Sequence, residues 1–252
     1  MTGEVVVLLH GFPQDPSAFD DVVPALHEAG LRTLVPTQRG YAATARPRRR
    51  RDYRTEELTL DLVALLDAAG VERAHLVGHD WGAAPAWALA ARLPKRVSSL
   101  TVLSTPHPTA MIKSWMTSSQ ALKSWYMAYF QLPWLPEVAM AHHLRRVLLS
   151  SGLPEHFADR YVRLMADPGT LTAALNWYRG IPFSARHPIG TVRVPTTYVW
   201  GQHDVALGAA AAKATGRYVD ADYRFEQWQA GHWLPETRPV QVAAAILRRT
   251  GR

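Results

Sequence analysis

The residues with the clearest chemical potential are Gly78-His79-Asp80-Trp81-Gly82. They follow the run His75-Leu76-Val77 and precede a helix-forming stretch. A glycine–x–nucleophile–x–glycine segment between strand and helix makes a sharp turn that lifts its central side chain above the sheet edge. The flanking glycines are needed because neighbouring backbone passes too close for a Cβ. The central residue is Asp80, not serine. A carboxylate is ionised at neutral pH, so it attacks carbon without a general base and leaves an ester. The competing reading of Asp80 is a helix N-cap, which aspartate also favours.

An ester on Asp80 must be hydrolysed, and later residues supply what that takes. Gly201-Gln202-His203-Asp204 follows a strand-like run over 197–200, and Gly231-His232-Trp233 follows another over 223–228. The chain order is nucleophile, acid, histidine. His232 takes a proton from water in this reading, while Asp204 holds the imidazole in the required tautomer and stabilises the imidazolium. His203 is an alternative base, but His232 sits after the last strand, where the order demands it. His10-Gly11-Phe12-Pro13 follows the first apolar run. A turn there aims the Phe12 N–H above Asp80, and the Trp81 N–H becomes a second donor to an ester oxyanion. Taken alone, these four residues are equally a loop exit.

The frame for these pieces is an alternation of strands and helices. Residues 4–10, 32–36, 74–78 and 97–104 read as strands, and 21–29, 55–69 and 83–93 as helices. Leu58, Leu62, Leu65 and Leu66 share one face of the second helix. From 105 to 190 no strand pattern occurs, and prolines at 133, 136, 154, 168 and 182 break helical segments. Aromatic residues crowd there, among them Trp115, Trp125, Tyr126, Tyr129, Phe130, Trp134, Trp177 and Tyr178. Strands return at 196–200 and 223–228, and a helix over 240–249 follows. An α/β core over 1–104 and 191–252, with a helical cap over 105–190, is the simplest account. The aromatics are cap core, or they line a pocket between cap and core.

Taken together, the sequence resembles the α/β-hydrolase superfamily and, within it, the epoxide hydrolases. The resemblance rests on His10-Gly11-Phe12-Pro13, Gly78-His79-Asp80-Trp81-Gly82, Asp204 and Gly231-His232-Trp233, and it spans nearly the whole chain. In the cap, Tyr129-Phe130-Gln131 is similar to the family's first ring-opening tyrosine motif and Asn176-Trp177-Tyr178-Arg179 to its second. Two phenols donate to the epoxide oxygen as its C–O bond breaks, and one hands over a proton. Tyr126 competes with Tyr129, three residues earlier, and the motif match favours Tyr129. The resemblance further implies a substrate pocket at His10, Pro13, Trp125, Trp177 and Trp233. It implies no metal or cofactor. The sequence departs from the family in placing its first strand almost at Met1, so a mostly parallel sheet of about six strands is expected.

Composition sets the remaining bounds. With 252 residues and a 48% hydrophobic fraction the chain can bury a full core. It has no cysteine, which removes disulfides, thiolate metal sites and cysteine nucleophiles. No apolar run approaches a membrane span, and the first apolar run is too short for a signal peptide, so a cytoplasmic location is expected. The net charge is +7. Its densest part, residues 46–54 (RPRRRRDYR), reads as a solvated surface loop rather than a nucleic-acid arm, because no nucleic-acid fold signature accompanies it. The expected partner is a small apolar or aromatic epoxide. Dehalogenation through the same aspartate ester is the first rival, and a non-catalytic binding protein on this scaffold the second. An exposed elbow serine, which an ordinary esterase needs, is missing.

Overall fold

Five consecutive apolar residues form β1 (Val5–Leu9), and all five are buried. A strand covered on both faces has no polar side to alternate with. Val5, Val7 and Leu9 face a cluster with Leu62, Leu66 and Trp87. Val6 and Leu8 face the other side, against Phe19, Leu26, Val242 and Ile246. The computed structural model describes residues 3–118, 124–184 and 188–252. Its sheet has the order β2-β1-β3-β4-β5-β6, with β2 at Arg32–Leu34, β3 at Ala74–His79, β4 at Val97–Leu103, β5 at Thr196–Gly201 and β6 at Tyr223–Trp228. Every pairing is parallel. The fold is the expected α/β-hydrolase arrangement with six strands.

Helices α1 (Val23–Glu28), α2 (Thr55–Ala68) and α3 (Ala83–Arg92) connect the first four strands. Between β4 and β5 lie α4 (Pro108–Thr117), α5 (Trp125–Tyr129), α6 (Leu135–Ser150), α7 (Glu155–Met165) and α8 (Pro168–Ser184). Then come α9 (Ala209–Ala214), α10 (Leu234–Thr237) and α11 (Pro239–Thr250). α9 and α10 had no clear sequence signal; both are short.

α4 packs against α9. Its Lys113 lies 5.4 Å over the Tyr218 ring, and His107 N–H donates to Thr215 Oγ1 at 3.1 Å. α4 is thus tied to the segment that follows β5. The cluster over the site is built by α5 to α8 through Phe130, Leu144, Leu148, Tyr161, Leu171 and Trp177.

Two expectations change. Pro136 and Pro168 lie in the first turns of α6 and α8, where a missing N–H costs nothing, and Pro182 sits inside α8. A helical proline leaves the carbonyl four residues earlier without its donor. Here that carbonyl belongs to Tyr178, and Gln131 Nε2 donates to it at 2.9 Å. The arginine loop is only partly a solvated face. Arg46 reaches the cap at Asp167 Oδ2 (2.6 Å) and Thr170 Oγ1 (2.5 Å). Arg50 donates to the Gln131 carbonyl at 3.3 Å. Tyr53 is buried beneath α8, and Gly180 permits that approach, since a Cβ there would strike the Tyr53 carbonyl. No helix among the described residues is long and apolar enough to cross a membrane.

Candidate active site

β1 and β3 are neighbours, while β2 lies outside β1, so the strand order reverses between them. Connections leaving the carboxyl ends of such strands diverge and open a crevice. The turns after β1 and β3 carry the two sharpest motifs into that crevice. Asp80 follows β3 directly and has φ 49°, a left-handed conformation that costs a non-glycine residue about 1–3 kcal/mol. The close approach that enforces the turn occurs at Gly82, where a Cβ would collide with the Leu9 carbonyl. Thr105 Oγ1 donates to the Asp80 carbonyl at 2.9 Å and fixes the elbow from the β4 side.

The three expected groups meet at this point. His232 Nε2 lies 3.4 Å from Asp80 Oδ2. His232 Nδ1–H donates to Asp204 Oδ2 at 2.7 Å. Asp204 Oδ1 accepts from the N–H groups of Ala206 (2.8 Å) and Leu207 (2.9 Å), so the acid is held on both oxygens. Phe12 N–H donates to Asp80 Oδ1 at 2.8 Å. One Asp80 oxygen thus sits at a backbone donor and the other faces the His232 imidazole.

The electrostatics follow from this packing. Burial alone raises the Asp80 pKa, but the His232 hydrogen bond and charge, His79 and the Phe12 N–H outweigh it and hold the carboxyl below its ordinary value. Burial alone lowers the His232 pKa, but the Asp204 charge and hydrogen bonds from both carboxylates outweigh it and hold the imidazole well above its ordinary value. Each group thus shifts the other toward its charged form, as opposite charges 3.4 Å apart do. His203 is turned away, 3.1 Å from Gln229 Oε1 on an exposed surface.

The tyrosines are arranged differently from the motif reading. Tyr178 is buried, with its ring 4.8 Å from Trp81 and 5.6 Å from Phe12. Burial raises its pKa well above the ordinary value, followed by the neighbouring Tyr126 and the Asp80 charge. Tyr126 packs 6.0 Å from Tyr178. Its pKa is also raised, first by burial and then by the charges of Asp80 and Asp204. Tyr129, the favoured candidate, instead directs its hydroxyl to the Leu135 carbonyl at 3.2 Å on the exposed side of the cap. Of the two α5 tyrosines, Tyr126 is the one that packs against Tyr178.

Among the described residues, no group of three or more His, Cys, Asp or Glu side chains is placed to hold a metal ion. Over residues 4–239 the sequence matches the α/β-hydrolase fold family. It is 34% identical to epoxide hydrolase 3 of Xenopus tropicalis over 261 residues, spanning 96% of this chain and 70% of that protein. Epoxide hydrolase A of Mycobacterium tuberculosis is 31% identical over 290 residues, spanning 96% and 89%. The crystal structure of epoxide hydrolase A from Mycobacterium thermoresistibile is similar with a TM-score of 0.83 at 27% identity, covering 98% of this chain and 92% of that one. The chain belongs to the epoxide hydrolase family of α/β-hydrolases.

In this hydrolase the expected pocket residues divide. Trp125 is 66% exposed, on the outer side of α5. His10 is fully buried below the turn, where its Nδ1–H donates to the Gly11 carbonyl at 3.1 Å and its Nε2 accepts from Gln38 N–H at 3.4 Å. Burial lowers its pKa to about 4, so it stays neutral. Both of its ring nitrogens are engaged with backbone groups. Pro13 is buried after a cis Phe12–Pro13 peptide. Trp177 backs Trp81 at 6.0 Å, with its indole N–H given to the Arg39 carbonyl at 2.8 Å. Trp233 stands edge-on to His232 at 5.0 Å and donates to Ser151 Oγ of the cap at 2.9 Å.

The sequence reading missed a layer of buried polar residues behind Asp80, Asp204 and His232. Ser104 Oγ donates to the His232 carbonyl at 2.8 Å, and Gln14, His79 and Glu236 are buried nearby. The available signals were adjacency alone: Gln14 follows the first motif, His79 lies inside the elbow, and Glu236 follows His232 by one helical turn.

Proposed function

We propose that the chain hydrolyses an epoxide to a vicinal diol through a covalent ester on Asp80. The observation that carries this reading is the division of the Asp80 carboxylate: Oδ1 at the Phe12 N–H and Oδ2 facing His232, with the phenols of the half-buried Tyr126 and the buried Tyr178 within range of its charge. Oδ2 attacks one ring carbon, the C–O bond of the ring breaks, and its electrons go to the ring oxygen. Tyr126 and Tyr178 donate hydrogen bonds to that oxygen, and one of them gives it a proton. Their raised pKa values keep both phenols protonated until the alkoxide forms.

The ester then breaks at its acyl carbon. His232 takes a proton from water, whose oxygen adds to Cγ of Asp80. The negative charge develops on Oδ1, already seated against the Phe12 N–H, with the Trp81 N–H as second donor. Collapse expels the diol with Oδ2, and the imidazolium returns a proton to it. The incoming oxygen remains on Asp80, and the proton left on that carboxyl returns to the phenol that gave one up.

Charge couples the two steps. Esterification removes the Asp80 charge, one of the groups that raise the His232 pKa. His232 is therefore a poor base in the resting site and a better one once the ester exists. Asp80→Asn, a neutral isostere, lowers the His232 pKa, and an NMR titration of the imidazole reads this directly; an unchanged or higher value contradicts the coupling. The same link acts on stability. A histidine whose pKa is raised by folding stabilises the fold below its unfolded pKa, and that contribution is lost as pH rises through the folded value. Asp80→Asn moves the loss to lower pH.

Trp81, whose indole a departing halide would need, is engaged with Tyr178, which favours the epoxide over the halide reading. The test is a panel of styrene-type, aliphatic and polycyclic epoxides beside halogenated alkanes, with diol and halide both measured. Diol release from at least one epoxide class is expected. Halide release without diol overturns the proposal.

A further inference from the structure

Gln14, His79, Tyr161 and Glu236 are buried polar residues for which neither chemical step has a use. They form one hydrogen-bonded array. Gly11 N–H donates to Gln14 Oε1 at 2.7 Å, and Gln14 Nε2 donates to Glu236 Oε1 at 2.6 Å. Tyr161 Oη donates to the same carboxylate oxygen at 2.9 Å. His79 has Nδ1 at 2.9 Å from Gln14 Oε1 and Nε2 at 2.9 Å from the His232 carbonyl. The Gln14 amide can face only one way: a backbone N–H needs its oxygen, which leaves its NH2 for the carboxylate.

Glu236 is expensive to keep. Burial pushes its pKa up to about 7, despite opposing hydrogen bonds from Gln14 and Tyr161. Its Oε2 is buried with no hydrogen-bond partner among the described residues. Such a group destabilises a fold, so its presence calls for a role. The array touches the turn after β1, the turn after β3 and the segment around His232. Gln14 grips Gly11, one residue before the Phe12 donor. His79 precedes Asp80 and braces the His232 carbonyl. Glu236 lies in α10, directly after His232, and Tyr161 comes from α7 of the cap.

We propose that Gln14 and Glu236 are positioning residues, which hold the Phe12 donor and His232 in register with Asp80 and link that register to the seating of the cap through Tyr161. The Phe12 N–H matters most when charge develops on Asp80 Oδ1, that is, in ester hydrolysis. Ring opening leans on the tyrosines instead. Loosening the array therefore slows the second step more than the first, whereas a merely structural role lowers the amount of active protein and leaves the ratio of the steps unchanged.

The inference rests on the ester mechanism, and rapid-quench single turnover with a styrene-type epoxide separates the two. Intact mass follows ester formation, and diol follows its hydrolysis. Gln14→Leu and Glu236→Leu lower the ratio of hydrolysis to formation by about a hundredfold, the cost of misplacing one oxyanion donor. Glu236→Gln keeps an acceptor for Gln14 and Tyr161 and stays within a few-fold of the parent. Tyr161→Phe lowers the ratio by a smaller factor. If the leucine variants do not fold, Gln14→Met and Tyr161→Phe read the same ratio. An unchanged ratio in folded Gln14 variants, a parallel fall of both steps, or equal damage from Glu236→Gln and Glu236→Leu overturns the proposal. Failure to detect any ester, even with His232→Ala, defeats the mechanism itself.

Discussion

Replacing His232 by alanine halts the reaction half-way. Asp80 still attacks, because a carboxylate needs no base, so the protein gains the mass of one substrate molecule and holds it. Turnover falls by roughly a hundred- to ten-thousand-fold, the usual contribution of a general base. Asp80→Ala gives the opposite pattern, with neither ester nor turnover. Intact-protein mass spectrometry after brief exposure to an epoxide distinguishes the two variants. Turnover that survives Asp80→Ala removes the nucleophile from the proposed mechanism. The parent enzyme offers an independent reading: in a single turnover in water labelled with heavy oxygen, the label stays on Asp80 and the first diol carries none. Label in that diol signals direct attack of water on the ring.

The second large effect concerns the phenols. Tyr178→Phe and Tyr126→Phe each slow ester formation by about a hundred- to a thousandfold, comparable to loss of one oxyanion donor. Tyr129→Phe leaves the rate within a few-fold, because its hydroxyl serves the Leu135 carbonyl at the surface. Stopped-flow measurement of single-turnover ester formation checks all three. A severe defect in Tyr129→Phe with a silent Tyr126→Phe reverses the assignment of the α5 tyrosine. Ester formation from a halogenated alkane that persists in Tyr178→Phe while epoxide opening is lost ties the phenol to oxygen chemistry.

The two α5 tyrosines also show where sequence reasoning stops. Residues three apart on a helix differ by about 60° in azimuth, so both are plausible neighbours of the site. α5 has five residues, and its rotation is set by burial of Phe130 and by the turn into α6. No local pattern encodes that. Asp80, Asp204, His232 and Phe12 were legible because each sits in a short motif at a strand end, where backbone crowding dictates the turn. Trp125 had the composition of a pocket residue and is exposed, since aromatic type does not reveal which face a short helix buries. Pro182 had the look of a helix terminator; a side-chain amide from a distant segment rescues the carbonyl it orphans. Gln14 and Glu236 are 222 residues apart, beyond any periodicity or spacing argument.

The arginine loop acquires a kinetic meaning from its contacts. Arg46 and Arg50 bridge core and cap at two separate points, Asp167 with Thr170 and the Gln131 carbonyl. The Arg46 pair is partly exposed, and such a pair is worth about 0.2–1 kcal/mol. Stays of that strength cannot lock a lid, but they bias its opening by a few-fold. Product escape is often the slow event in enzymes with covered sites. Raised ionic strength, which screens exposed charges over roughly 10 Å at 0.1 M, is therefore expected to quicken diol release relative to ester formation.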